Sequence, residues 1–516
     1  MTNGFYLYLF FGGFIMSNLT RTTNGAAAYS TSGNALVDFN FSISTLRNED
    51  GHDIFNKFRD IMDQEGGTIA MQYLLYIRDP RGGLGEKRIF REILKRIDFE
   101  YFKNIIDITA EFGSWKDIMV IAEDLVSDIA YKKNVDYILC VIACQYHEDL
   151  VTYNKLLMHP YKKISLISKY MPSPKCHSKK RMILAKKFMQ YDGISERQYR
   201  KSLSKLRKYL DITEVKMSSN NWGDIDYEKV PSKANLNYAN AFMRHDIERR
   251  NDYLNRLSNG EAKINASVLY PHEIYTKCNT NFPAEMQELC HENIALEEMW
   301  KALPDYTDGE ETIVVVDSSG SMKRRVPGTK VECIDISRSL GIYFAEHNKG
   351  IFKDIMIEFS ATPKLISISG CNSLYERKKL LEKYTDCSNT NIVSVMTLIL
   401  DYARQYNVTK IPNVVIISDM QFDCICYGDT DTIFDQLKTT YKVFGYELPK
   451  ICFWNVATNR ISLPMLENDN GLILASGYSP AICKSIMGCK TISPYESILE
   501  QINVPKYIIG ARKVIS

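Results

Sequence analysis

Five oxygen-bearing side chains in the C-terminal half of the chain are spaced for chemistry with a hard cation. The stretch Thr312-Ile-Val-Val-Val-Asp317-Ser-Ser319-Gly-Ser321-Met322 runs from β-branched residues into one carboxylate, two spaced hydroxyls and a glycine. An uninterrupted apolar run predicts a buried parallel strand, and ligands of open α/β sheets bind beyond the carboxyl ends of such strands. Asp317, Ser319 and Ser321 stand at alternate positions, so their oxygens can converge on one ion while Gly320 lets the loop turn tightly. Thr390, in Cys387-Ser-Asn-Thr390-Asn391, precedes an apolar helix, and Asp419 ends a second buried run, Asn413-Val-Val-Ile-Ile-Ser418-Asp419. An oxygen-only set with two carboxylates suits Mg²⁺ or Mn²⁺ and leaves the ion Lewis-acidic towards a further ligand. Asp423 adds a carboxylate close by in sequence. The same residue types also make turns and helix caps, so a doubly wound domain without any ion is the competing reading.

The elements that must position these residues alternate in the C-terminal part as an α/β domain requires. Strands are expected near 312–317, 352–359, 364–368, 412–418, 450–456 and 471–475, with helices near 331–347, 373–384, 392–406, 430–442 and 479–487. From about residue 50 to 300 apolar residues recur three and four apart, which predicts helices near 53–64, 67–78, 86–96, 116–127, 133–148, 178–190, 195–210 and 233–257. Paired helices with short turns point to a HEAT-like repeat region. Residues 20–40 are small, polar and without period, and read as an extended arm. The expected organisation is therefore an arm over 1–40, a helical region over 41–308 and a doubly wound, Rossmann-like domain over 309–516.

At 516 residues the chain is long enough for two or three domains, and 45% hydrophobic with 24% charged residues is the balance of a soluble globular protein. Thirteen scattered cysteines without a C-x-x-C pair argue against zinc and a disulfide framework, and for a reducing compartment, taken as cytoplasm. The apolar run in residues 1–15 is too short to span a bilayer and lacks a preceding basic residue, so no membrane role is expected. With Met16 opening a soluble-looking start, residues 1–15 read as an upstream extension or a loose arm.

Net charge is only +2, yet Lys162–Lys208 holds fifteen Lys or Arg against Asp192 and Glu196, a local balance of +13. Such segregation suits a nucleic-acid surface, and a solvated basic face without a ligand is the alternative. The candidate RNA contacts are Lys175, Lys179, Lys180, Arg181, Lys186, Lys187, Arg200, Lys201, Lys205 and Lys208, with Tyr170 and Tyr191 available for stacking. Arg78-Asp-Pro80-Arg81-Gly82-Gly83-Leu-Gly85-Glu-Lys87 lacks phosphate-loop spacing and reads as a helix stop followed by a turn. Gly113-Ser-Trp115-Lys-Asp117 reads as a hairpin turn over a packed Trp. Asn221-Trp222 opens a loop into a helix starting near Ser232, and His245 reads as a packed or surface histidine, with no nucleophile in relation to it.

The D-x-S-x-S pattern, the later Thr and the later strand-end Asp resemble the metal-ion-dependent adhesion site of von Willebrand factor A domains. That resemblance implies Ser319, Ser321 and Thr390 as direct ligands, Asp317 and Asp419 behind them, and an acidic partner group in the sixth position. A helical region followed by such a domain resembles the Ro autoantigen (TROVE) family, whose members bind small noncoding and misfolded RNAs. The chain is more similar still to a family from plants, fungi and giant DNA viruses with a domain of unknown function. The residues carrying that likeness are Thr23-Asn24-Gly25-Ala26, Arg78-Asp79-Pro80-Arg81-Gly82, Lys169-Tyr170-Met171-Pro172-Ser173, Val230-Pro231-Ser232, Tyr270-Pro271-His272, Asp317-Ser-Ser-Gly-Ser-Met322 and Ser418-Asp419-Met420. Its Asn, Ile, Lys and Tyr usage suits an AT-rich giant virus. The expected function is an RNA-binding ribonucleoprotein component, not an enzyme, with a Mg²⁺ site for an acidic protein partner. A metal-dependent protein scaffold is the alternative. A metal-dependent nuclease ranks last, because two-metal nucleases need denser carboxylates.

Overall fold

The computed structural model describes residues 19–21, 27–155, 163–279, 291–305, 307, 311–326, 329–384, 391–420, 433–456, 472–479, 482 and 493–516. Helices fill the N-terminal part and a six-stranded mixed sheet the C-terminal part, as the apolar periods require. Two compact units result: residues 1–50, 57–65 and 254–504 form one, and residues 51–56, 66–253 and 505–516 the other. No helix among the described residues is long and apolar enough to cross a membrane.

In the first unit the sheet strands are β1 (Thr312–Asp317), β2 (Ile355–Phe359), β3 (Lys364–Ser367), β4 (Asn413–Ser418), β5 (Ile451–Asn455) and β6 (Leu472–Ser476). Their spatial order is β3-β2-β1-β4-β5-β6, with only the β2–β3 pair antiparallel. β1 and β4 are buried almost throughout, which is why they read as unbroken Val and Ile runs. The strand order reverses between them, and a doubly wound sheet opens its ligand crevice at that point.

The expected extended arm stops short of residue 40, because residues 35–46 are helical. They form the helix Ala35–Leu46, capped by Asn34, whose side chain accepts the Val37 N–H at 3.0 Å. Leu36, Val37, Phe39, Phe41, Ile43 and Leu46 are all buried, so this segment has an apolar surface that must be covered. It is covered within the sheet-bearing unit: the Asn455 amide donates to the Phe41 carbonyl at 3.0 Å and the Ser44 N–H to Ser476 Oγ at 3.2 Å.

In the second unit the helices Phe99–Phe112, Trp115–Leu125 and Lys132–Lys155 pack on their sequence neighbours, as hairpin-wise repeats do, and Lys179–Asp192 and Glu196–Tyr209 both pack on Lys132–Lys155. The expected break near residue 66 is present inside Gly51–Arg78, where Gly66 takes φ 82° and ψ 163°. The helix expected over 233–257 is instead two, Ser232–His245 and Ile247–Ser258, parted at Asp246.

The units do not follow the contiguous stretches 41–308 and 309–516 expected from sequence. The helix Pro505–Ile515 is amphipathic, and such a helix buries its apolar face wherever a complementary surface exists. The last helix, Pro505–Ile515, is part of the helical unit. Lys506 pairs with Asp79, Tyr507 donates to Asp79 at 2.9 Å, and Asn104 donates to the Val514 carbonyl at 2.9 Å. Gly510 permits this approach, since a Cβ there would lie 2.6 Å from Leu75 Cδ1 and 2.7 Å from Phe112 Cζ. Gly510→Val is therefore expected to destabilise the helical unit by about 1–3 kcal/mol, read as a lower urea midpoint by far-UV dichroism.

Candidate metal centre and basic face

The loop after β1 is built around the Asp317 carboxylate, which is fully buried. Its Oδ1 accepts the Ser319 N–H at 2.8 Å and its Oδ2 the Ser418 hydroxyl at 2.5 Å. Ser337, on the helix Cys333–His347, donates to the Asp317 carbonyl at 3.4 Å and the Ile417 carbonyl at 3.2 Å, tying the ends of β1 and β4 together. A one-turn 3₁₀ segment, Gly320–Lys323, follows Ser319 and is pinned by buried Met322. On the β4 side Met420 takes a positive φ of 63° and donates its N–H to Ser418 Oγ at 3.1 Å. That kink turns the chain immediately after Asp419, which is itself nearly buried.

Ser319 Oγ and Ser321 Oγ lie 3.0 Å apart. Two oxygens bound side by side on an octahedral Mg²⁺, each at about 2.1 Å, would be separated by roughly 3 Å. The hydroxyl pair thus has the spacing of adjacent ligands. The electrostatics point the same way. Burial first, and the Asp419 charge second, push the Asp317 carboxyl up to about 7, against the opposing pull of the Ser418 and Ser319 hydrogen bonds. Two mutually repelling buried carboxylates are what a divalent cation would relieve.

Among the described residues no cluster of three or more His, Cys, Asp or Glu could hold a metal, so any cation here would depend on the hydroxyls. Asp317, Ser319, Ser321 and Asp419 come together at the β1/β4 switch point, whereas Thr390 and Asp423 lie outside the described residues. Sequence reasoning missed three supporting groups: Ser418, Ser337 and Glu358. Glu358, buried at the end of β2, accepts the Ser318 hydroxyl at 2.8 Å. Ser418 was visible as the polar residue closing β4, but the other two are joined to the site only by strand register and helix packing.

The basic stretch folds as the helices Lys179–Asp192 and Glu196–Tyr209, each burying one face through Leu184, Ala185 and Phe188 or Tyr199, Leu203 and Leu206. Opposite those faces stand Lys179 and Lys186 on the first helix and Arg197, Lys201 and Lys208 on the second. Lys175, Lys179, Lys186, Lys201, Lys205 and Lys208 are exposed, and their ammonium groups make no ion pair or hydrogen bond among the described residues. The other candidates have internal work. Arg181 pairs with Glu123 at 3.0 Å, Lys187 donates to the Val126 carbonyl at 2.9 Å, Lys180 lies 3.8 Å from Asp124 and Arg200 3.8 Å from Glu196. Tyr191 is exposed, while Tyr170 is half-buried.

Two family models match the chain, both for domains of unknown function: DUF2828 over residues 185–306 and DUF7788 over residues 311–506. The mimivirus protein "Uncharacterized protein L728" of Acanthamoeba polyphaga mimivirus is 31% identical over 518 aligned positions, covering 94% of this chain and 87% of that protein. The chain belongs to that protein's family. For this family member the DUF7788 match contains all five candidate metal residues, and the DUF2828 match begins inside the first basic helix. Among solved structures, the crystal structure of the Deinococcus radiodurans Ro (RSR) protein aligns with 12% identity and a TM-score of 0.40, covering 86% of this chain and 93% of that one.

Proposed function

We propose that this protein is an RNA-binding ribonucleoprotein component of the Ro kind. Its helical unit holds RNA phosphates, and its α/β unit takes an acidic partner group through Mg²⁺ or Mn²⁺. The observation that carries the reading is the set of six exposed lysines, from Lys175 to Lys208, without internal partners in a chain of almost no net charge. Uncompensated ammonium groups on two successive helices and the turn before them are what phosphate binding needs and what folding alone does not. Small noncoding or misfolded RNAs are the proposed class.

At the β1/β4 crevice, Ser319 and Ser321 would hold the cation, with Asp317 and Asp419 balancing its charge. Ser337 and Ser418 keep the two strand ends in place. The cation would supply attraction for one anionic oxygen of a partner. We assign this site to binding rather than catalysis, because hydroxyls rather than a dense set of carboxylates would hold the cation.

The test is filter binding of the purified chain to structured and single-stranded RNAs at low salt, with Mg²⁺ and with chelator. Retention of RNA in both conditions is expected, since the phosphate contacts do not require the metal. Absence of retention for every RNA would overturn the reading and leave a metal-dependent protein scaffold.

A further inference from the structure

The loop before the helix Ser232–His245 carries an aromatic column that the phosphate face does not account for. Its root is buried: Tyr227, Phe242, Tyr253 and Arg250 pack together, with Tyr227 and Phe242 edge-to-face at 5.2 Å. Trp222 meets Phe242 edge-on at 6.4 Å. His245 then lies flat on the indole, centroids 4.5 Å apart and planes 9° from parallel. His245 is exposed, and among the described residues it makes no hydrogen bond or ion pair and has no ring partner besides Trp222. The column therefore ends in a flat ring with one face covered and the other open to solvent.

The platform is rigid. Asn220, in the left-handed region at φ 59°, accepts the Trp222 indole N–H at 2.8 Å and fixes the ring's edge. Arg249 donates to the Trp222 carbonyl at 3.0 Å and the Ile225 carbonyl at 2.7 Å, bracing the loop. Two of the acids around it are engaged: Asp246 accepts from Tyr227 and Arg249, each at 2.9 Å, and Asp226 pairs with Lys229 at 2.9 Å. A flat, open, pre-organised π-surface in locally balanced charge suits a flat, uncharged π-system better than a phosphate.

We propose that the Trp222–His245 stack is a platform for an unpaired nucleobase of single-stranded RNA, which lies on the open imidazole face and extends the column by one ring. The proposal rests on the RNA-binding reading and adds base recognition to it. Stacking is tolerant of base identity, because every base has a π-face, so the platform selects unpaired over paired RNA rather than one sequence. Its contribution is not ionic, so it should not fade with salt as the lysine contacts do.

The test is fluorescence anisotropy of a short labelled oligouridylate at two salt concentrations, with an abasic oligomer of equal length as comparison. His245→Ala is expected to weaken oligouridylate binding roughly tenfold, by the same factor at both salts. His245→Phe restores it by restoring the ring, and the abasic oligomer binds wild type and His245→Ala equally. His245 is exposed, so melting temperature should stay unchanged in both variants. Unaltered oligouridylate affinity in His245→Ala overturns the platform, and so does an equal loss for the abasic oligomer. If Lys-to-Ser changes on the basic face abolish binding while His245→Ala does nothing, RNA binding stands and the platform falls. If wild type binds neither oligomer at any salt, both fall.

Discussion

Replacing Asp317 by Asn is expected to raise the melting temperature of the metal-free protein and to erase the stabilisation proposed to come from Mg²⁺ in the wild type. The carboxyl is wholly buried beside Asp419, and its folded value of about 7 lies above the ordinary 3.8. Between those two pH values the folded protein keeps a proton that the unfolded chain has released. Stability therefore falls as pH rises through this window and levels off above it. The amide keeps the shape, can still accept the Ser319 N–H, and carries no charge to bury. The variant should lack this pH-dependent loss and gain on the order of 3 kcal/mol at neutral pH. Bound as proposed, Mg²⁺ at about a hundred times its dissociation constant would add about 2.7 kcal/mol to the wild type, a rise of roughly 5–10 °C for a unit of this size. Scanning calorimetry with Mg²⁺ and with chelator reads both effects. Equal Mg²⁺ shifts in wild type and Asp317→Asn would remove the cation from this crevice.

Asp117→Ala is expected to destabilise the helical unit by about 3–5 kcal/mol, the usual result of breaking a buried ion pair from one side. Arg78 donates to Asp117 Oδ2 at 2.9 and 2.6 Å, and Arg91 donates to Oδ1 at the same two distances. Ser114 adds a bond at 2.8 Å, and both Arg78 and Asp117 are buried. Burial alone would raise the Asp117 carboxyl, but the two guanidiniums, Arg78 foremost, outweigh it and hold the group below its ordinary value. Its stabilising effect is thus present above the ordinary carboxylate range and lost as pH falls through the lowered value, opposite in sign to Asp317. Alanine leaves two guanidiniums uncompensated, one of them fully enclosed. Urea unfolding followed by far-UV dichroism measures the loss. A change under about 1 kcal/mol would mean the cluster is hydrated rather than buried.

The two sites differ in how much of them was legible in the sequence. Asp317 and Asp419 each end an apolar run, so period and polarity alone placed them at strand ends, and the D-x-S-x-S spacing placed the hydroxyls. Ser337 and Glu358 carry no such mark, because a buried Ser on a helix and a Glu inside a strand look like pattern breaks until register sets them beside β1. The ends of the chain were harder. The Ala35–Leu46 helix is buried on nearly every side, its buried polar residues Asn40, Ser44 and Thr45 blur the 3.6-residue period, and polar residues just before it suggested a loop. Pro494 and Pro505 open the last two helices at positions where proline is favoured, and Ser493 caps the first by accepting the Glu496 N–H at 3.2 Å. The basic stretch was legible as charge but not as use. Arg181 and Lys187 turn inward to Glu123 and Val126, and only coordinates separate them from Lys179 and Lys186.

The most direct test of the central claim is the slope of RNA affinity against salt, for wild type and for a variant carrying Lys175→Ser, Lys179→Ser, Lys186→Ser, Lys201→Ser and Lys208→Ser. Arg181 and Lys187 are left intact, so that fold and surface charge are not changed together. The wild type should bind RNA with affinity falling steeply as salt rises. The variant should lose about a hundredfold at low salt, with a slope shallower by as much as ~3.5 if each lysine meets one phosphate of a single strand. An RNA affinity that ignores salt, or a variant with the wild-type slope, would contradict the assignment of this face to RNA.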